Sequence, residues 1–548
     1  MTATVLREER IKSEKDGLAV LADMRRYAAD PSLPVAEDDL WRFKWYGIYG
    51  QKPAGSGLYM IRIKTPAGRV SADQTERLAG LARRFGRNVV DITTRQAIQL
   101  HWLRTQDLPT VIDEIYQDIG LYQEFGCGDV PRAVTGCPLA GVIAEEHVDA
   151  SGLVEALNEL WHQERESFSN LPRKFKASAA GCNIHCHLPQ INDIGFFGHT
   201  RADGTRGLGL AVGGGLRNTP HLAQSLRVFI PPDRELVVKI ARQVALLYRG
   251  YDDLRQKRLH ARFKFHVAEV GWQGFRDELE AALGFQLEHD DAVEFPEGAA
   301  HNQDHTGIGK QKDGRHWAGV PIPCGRISGD QLAWFAGLAR QYAASSPGRV
   351  VFTAKQNLVL LDIDPARSAD LGKVLAEGGF PLDAPLAATF NTCTGSEYCN
   401  LAVTETKATG KRLLERLSHD IKLAEPFFIA MTGCPNSCAH YWLGDIGLTG
   451  AKLKWKGQMV DAYFVLTGTK LGRDAQFAQE IVAGEGPKGR IKIPEELLPT
   501  AIMRLVDAYR TERMTGDYFG TWARRQSMPR LAELLVPPEL AAALLAGG

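Results

Sequence analysis

The sequence predicts a mixed α/β protein built from two related halves, and three observations carry that prediction. Strand-like and helix-like hydrophobic periods alternate along the chain. Short words recur in the same order at an offset of 252 to 262 residues. That offset is far too long for a solenoid, whose units repeat every few tens of residues. Residues 1–40 read as a polar N-terminal arm, helical in part. Tyr59, Ile61 and Ile63 alternate with Met60, Arg62 and Lys64, as in a strand buried on one face. Residues 73–85 carry Leu78, Leu81 and Ala82 at helical spacing, and Ile92 to Trp102 reads as a second strand.

The recurrences are specific. Ile92-Thr-Thr-Arg-Gln-Ala-Ile-Gln-Leu is echoed by Phe352-Thr-Ala-Lys-Gln-Asn-Leu-Val-Leu, and Gly136-Cys-Pro-Leu-Ala by Tyr398-Cys-Asn-Leu-Ala. Gly181-Cys-Asn-Ile-His-Cys, then Asp193-Ile-Gly, is echoed by Gly433-Cys-Pro-Asn-Ser-Cys, then Asp445-Ile-Gly. Two homologous halves around a pseudo-two-fold axis, with a site between them, follow from this order.

Composition narrows the function classes. The chain has 548 residues, with 65 Lys+Arg against 65 Asp+Glu, so its overall charge argues for neither a nucleic-acid nor a membrane partner. It has no apolar run of about 18 residues and no apolar leader at its start, so a cytoplasmic location is expected. Nine cysteines, an odd number, point to metal or redox chemistry rather than a disulfide framework.

Four of them form two close pairs, Cys393-x5-Cys399 and Cys434-x3-Cys438. Four thiolates so grouped suit Zn²⁺ or an iron–sulfur cluster, and the wide spacings favour the larger cube. Pro435 is expected to open a helix, with Cys434 at its entrance and Cys438 one turn on. In the first half Cys137, Cys182 and Cys186 occupy the positions of Cys399, Cys434 and Cys438, but Pro131 stands where Cys393 would. A second cluster there would need Cys127, His185 or His187; a degenerate copy with small buried thiols is the simpler account. Cys324 matches nothing and is read as structural.

Basic residues recur on strands. Period two places Arg95, Gln99 and His101 on one face, and Lys174 and Lys176 on one face if that segment is extended; Arg62 and Lys64 follow the same spacing. Each alone is an ordinary solvated face, but together they suggest an anionic ligand. Gly213, Gly214 and Gly215, before Arg217, form a run whose N–H groups could approach such a ligand.

These residues resemble the sirohaem and 4Fe–4S nitrite/sulfite reductase family. The resemblance rests on Thr392-Cys-Thr-Gly-Ser-Glu-Tyr-Cys399, Thr432-Gly-Cys-Pro-Asn-Ser-Cys438, Tyr59-Met-Ile-Arg62, Thr94-Arg-Gln96, Leu171-Pro-Arg-Lys-Phe-Lys176 and Gly213-Gly-Gly215, and spans roughly residues 40–520. It implies ferredoxin-like half-domains at 41–125 and 306–385, and sirohaem-binding α/β domains at 126–305 and 386–548. It implies that Cys393, Cys399, Cys434 and Cys438 hold one 4Fe–4S cluster, with Cys438 bridging to sirohaem iron. Arg62, Arg132, Lys174 and Lys176 then face the substrate oxyanion, while Arg95, Gln99, His101, Gly213–Gly215, Arg217, Gln356 and Asn357 embrace the sirohaem carboxylates.

The implied activity is six-electron reduction of nitrite to ammonia, or of sulfite to sulfide. The cysteine wording leans to nitrite. Lys176, where nitrite reductases often carry Asn, leans to sulfite. The chain has no dinucleotide-binding glycine fingerprint, so a ferredoxin is the expected donor, ahead of a flavoprotein subunit. Two other readings compete: a corrin-pathway oxygenase of the same fold, and a non-catalytic sirohaem and cluster electron-transfer protein.

Overall fold

The computed structural model describes residues 5–182, 184–296, 304–345 and 347–541. Two five-stranded antiparallel sheets form its centre. The first runs in the order Ile48–Gly50, Leu58–Ile63, Ile98–Arg104, Val89–Ile92 and Arg326–Ser328; the second runs Gly307–Lys310, His316–Val320, Leu358–Ile363, Arg349–Phe352 and Arg69–Ser71. Each sheet therefore ends on a strand donated by the other half of the chain. Right after each donated strand the chain turns into a helix, Ala72–Phe85 or Gly329–Tyr342, and both open with a capping box, Ser71/Gln74 and Ser328/Gln331. Arg83–Asp330 and Arg340–Asp73 pair across the two helices at 2.8 and 2.9 Å. These ion pairs are exposed, so they mark the symmetry more than they stabilise it.

The strand expected over Ile92–Trp102 is in fact two strands, Val89–Ile92 and Ile98–Arg104, joined by a turn at Gln96, whose φ is 56°. Arg95 thus sits on a turn, off the face that Gln99 and His101 share. The turn has a purpose. Gln96 donates to Phe352 O (3.1 Å) and accepts from Gly136 N (2.8 Å); Gln356, at φ 66°, donates to Ile92 O (2.8 Å) and accepts from Thr392 N (2.8 Å). Each glutamine holds the opposite half's strand end and its own half's next domain. Buried amides satisfied at both ends in this way fix one register.

Two further mixed sheets carry the cysteines. One contains Thr135–Gly136, Ala177–Ala180, Ile194–Thr200, Arg206–Val212 and Gln224–Ser225; the other contains Phe390–Thr392, Ile429–Thr432, Ile446–Trp455, Gln458–Thr467 and Gln479–Glu480. In both, the first two pairings are parallel and the rest antiparallel. The cysteine loops leave the carboxyl ends of the parallel strands, where open α/β sheets bind ligands. No helix opens at Pro435. The chain makes successive turns instead, because Ser437 (φ 56°) and His440 (φ 68°) are left-handed and cannot continue a helix. His185 (φ 52°) and Leu188 (φ 51°) repeat this conformation in the first half. Among the described residues no helix is long and apolar enough to cross a membrane.

Candidate active site

The four second-half cysteines converge. Gly433 N–H points at Cys393 Sγ (3.2 Å), and Asn436 Nδ2 lies 3.5 Å from Cys434 Sγ. Burial pushes the Cys393 thiol up to about 12 and the Cys434 thiol up to about 11, and the neighbouring Cys438 adds to the shift in both and in Cys399. One residue thus lies within charge range of the other three. Desolvated thiols so close together keep their protons unless a metal supplies compensating positive charge, and N–H groups aimed at sulfur suit a cluster thiolate. Cys438 is the exposed member.

What Cys438 faces comes from the first half. Thr94 Oγ1 donates to Cys438 O at 2.9 Å. Burial lowers Arg62 and Lys174, Lys174 to about 7, while Cys438 favours the charge on both. Arg62 and Arg132 share the carbonyl of Gly126 at 3.2 and 3.0 Å. With its amide oriented to satisfy both neighbours, Gln99 accepts from Arg62 at 2.8 and 3.2 Å and donates to Thr394 Oγ1 at 3.1 Å.

Lys174 and Lys176 flank Phe175. That ring is buried against Trp161, Tyr248 and Phe263, so both lysines turn the other way. Neither ammonium has a hydrogen bond or ion pair among the described residues. Arg62, Arg95, Lys174 and Lys176 are hemmed in by protein yet keep accessible surface, as side chains lining an internal cavity do.

The wall is larger than the sequence suggested. Arg262 is buried and pairs with Asp193 at 2.8 and 3.0 Å, and burial, with Arg262 beside it, lowers Lys264 to about 7. A Cβ on Gly215 would meet Arg262 at 3.0 Å and Lys264 at 3.1 Å, so the glycine run lies directly on these cations. Arg262-Phe-Lys264 repeats the alternation of Lys174-Phe-Lys176, a signal that could have been found. His440 joins the wall from the cluster loop; burial, then Lys176, Lys355 and Arg95, keep it neutral. The nearby carboxylates Asp193 and Asp129 are already held by Arg262 and Arg258. Cations buried in such excess require an anionic ligand. A polycarboxylate macrocycle together with an oxyanion fits that requirement.

Other expected residues lie elsewhere. His101 is wholly buried, 3.0 Å from Asp91 and stacked on Tyr398 at 4.0 Å. Asp91 also takes both ends of the Arg326 fork, and Arg326 in turn holds Glu397 at 3.0 Å. This network clamps the loop from Cys393 to Cys399. Gln356 is committed to the crossed hydrogen bonds above. Asn357 bonds Ile322 N, Ala388 O and Asp304. Arg95 spends its fork on Asn192, Ala133 O and Ala177 O, and its Nε is buried without a partner. Arg217 is half-buried, and its carbonyl accepts from Trp442 of the second half at 2.9 Å.

Comparison with known proteins supports the same grouping. The profile of the nitrite and sulphite reductase 4Fe–4S domain matches residues 127–287 and 386–537, and that of the nitrite/sulfite reductase ferredoxin-like half domain matches 51–117 and 309–378. The assimilatory ferredoxin-dependent nitrite reductase of Haloferax mediterranei is 32% identical over 97% of this chain and 94% of its own. A sulfite reductase (ferredoxin) 1 of Mycolicibacterium paratuberculosis is 32% identical over 91% of each. The solved structure of the Mycobacterium tuberculosis NirA protein superposes with a TM-score of 0.87 at 31% identity, covering 96% of this chain and 97% of that one. With both profiles matched twice, once in each half, this chain is an enzyme of the nitrite and sulfite reductase family, with an iron–sulfur domain in its duplicated fold.

Proposed function

We propose that this protein reduces nitrite to ammonia at a centre joining sirohaem to a 4Fe–4S cluster, with ferredoxin as donor. The observation that carries this reading is the wall of buried first-half cations facing Cys438. Cys393, Cys399, Cys434 and Cys438 would hold the cluster, and Cys438, open towards the wall, would be the thiolate shared with sirohaem. Arg262, Lys264 and the free Nε of Arg95 would take the macrocycle carboxylates; the N–H groups of Gly213, Gly214 and Gly215 do not, since they already donate to Asp193 O, Asn192 O and His221 O at 2.9 Å each. When bound, the two cofactors supply single electrons in succession to the substrate's central atom.

The chain's own contribution is charge and protons. Arg62 and Arg132, fixed on Gly126, offer N–H groups to an oxyanion and stabilise the charge that grows on oxygen as it leaves. Lys174, near pH 7, can release a proton and regain one at neutral pH, which suits repeated protonation. Beside Cys399, Leu401 and Val403 are 66% and 45% exposed, a surface on which a small donor could dock. Sulfite reduction is the second reading, and Lys176 favours it, since a further cation suits a dianion. The test is turnover of purified, fully loaded enzyme with reduced methyl viologen. Nitrite is expected to give ammonia at six viologens per nitrite; neither ammonia nor sulfide would overturn the reading.

A further inference from the structure

The first-half copy of the cysteine loops holds three thiols, and its fourth member comes from an unexpected place. Pro131 bridges Phe175 as backbone, and Cys127 lies beside Lys44, away from the trio. His187 turns its Nε2 to Phe196 O, and His185 packs between Phe197 and Phe295. Instead His305, 168 residues along the chain, places Nε2 3.3 Å from Cys137 Sγ. Cys137, Cys186 and His305 bring their ligand atoms within 4.8 Å of one another, and Cys182, four residues before Cys186 in the same loop, lies within interaction range of both other thiols. All four residues are buried or nearly so.

These distances discriminate between metal centres. Zn–S bonds of about 2.3 Å put the corners of a tetrahedron about 3.8 Å apart, with a sulfur–nitrogen edge slightly shorter. Cys137, Cys186 and His305 are gathered near that scale, with Cys182 beside them. Among the described residues no three of Cys393, Cys399, Cys434 and Cys438 are drawn so close, as a cube of iron and sulfide requires.

The surroundings are also those of a closed site. Val142, Ile143, Val351 and Val359 seal the group in apolar side chains. His305 is braced through Asp304, whose carboxylate accepts from His305 N (2.9 Å), from Thr353 Oγ1 (2.6 Å) and from Asn357 Nδ2 (2.7 Å). Four protein ligands, three soft and one imidazole, leave no position for substrate.

We propose that Cys137, Cys182, Cys186 and His305 bind one structural zinc ion that staples the first cysteine-bearing domain to the start of the second half. The test is metal analysis of the holoenzyme, purified without chelators. The expected result is about one zinc beside about five iron per chain, with a zinc absorption edge fitted by three sulfurs and one nitrogen. His305→Ala is expected to lose zinc while keeping the sirohaem–cluster spectrum, and His305→Cys to retain it. About nine iron per chain without zinc, a folded holoenzyme lacking zinc, or zinc bound only by oxygen and nitrogen would each overturn the proposal. The holoenzyme measurement stands even if neither variant folds.

Discussion

The two cysteine-bearing domains share a backbone and differ in almost every side chain that matters. Asp193 accepts from Lys176 N at 2.8 Å, and Asp445 accepts from Phe428 N at 2.9 Å. The left-handed pairs His185/Leu188 and Ser437/His440 fall at the same offset. Within this common frame, Lys174 and Lys176 correspond to Pro426 and Phe428, Arg132 to Thr394, and Cys393 to Pro131. The first domain has kept the charges and the second the complete cysteine set. Duplication allowed this division because the sheet and loop geometry is held by Asp193, Asp445, Gln96 and Gln356, none of which has to change when a ligand does. Each site is then completed across the axis: Thr94 reaches the Cys438 loop, and His305 reaches Cys137.

Breaking the junction tests this division most severely. Cys438→Ser is expected to abolish ammonia formation and the coupled sirohaem–cluster spectrum, whereas its counterpart Cys186→Ser should lower the unfolding temperature and leave that spectrum in place. Optical spectra of the two purified variants compare them directly. Next in size, Lys174→Ala or Arg132→Ala should lower kcat by about 10²–10³ with cofactor content unchanged, while Pro426→Ala, at the equivalent site, should not. Steady-state rates normalised to iron content decide this.

The clamp between the halves should show in stability. Burial opposes the charge on Asp91, but Lys407 and Arg326 outweigh it and hold its carboxyl well below 3.8. A carboxyl lowered on folding stabilises the fold above its unfolded value, and that contribution is lost as pH falls below about 4. Asp91→Asn leaves buried cations unpaired and should cost about 3–5 kcal/mol at neutral pH. Denaturant melts at pH 7 and below 4 should therefore differ for wild type and converge with the variant in acid. The smallest effect concerns selectivity. Lys176→Asn should raise the nitrite-over-sulfite ratio of kcat/KM by about tenfold, or about 1.4 kcal/mol; equal losses on both anions would remove Lys176 as the discriminator.

Much of this was legible in the chain. The strand at Tyr59–Ile63, the helix after Ser71, the duplication and the cluster cysteines all rest on local period or spacing, which a sequence displays. The exchanged edge strands and the crossed glutamines did not show, because Gln96 and Gln356 act on partners more than 250 residues away. His305 was invisible for the same reason: its partner is 168 residues distant, and no motif spacing records that. The turn at Arg95 and the missing helix at Pro435 both come from left-handed residues other than glycine, which carry no compositional mark. Arg262 and Lys264 carry a local mark, since they alternate with Phe263 as Lys174 and Lys176 do with Phe175.

As proposed above, the charged wall of one half and the cluster of the other meet at Cys438. Mössbauer spectroscopy of iron-57-enriched, oxidised holoenzyme tests it in one sample. If sirohaem and cluster share the Cys438 thiolate as proposed, all the iron, about five atoms per chain, shares one magnetic splitting. A cluster with no magnetic splitting beside an independently split sirohaem iron would contradict it.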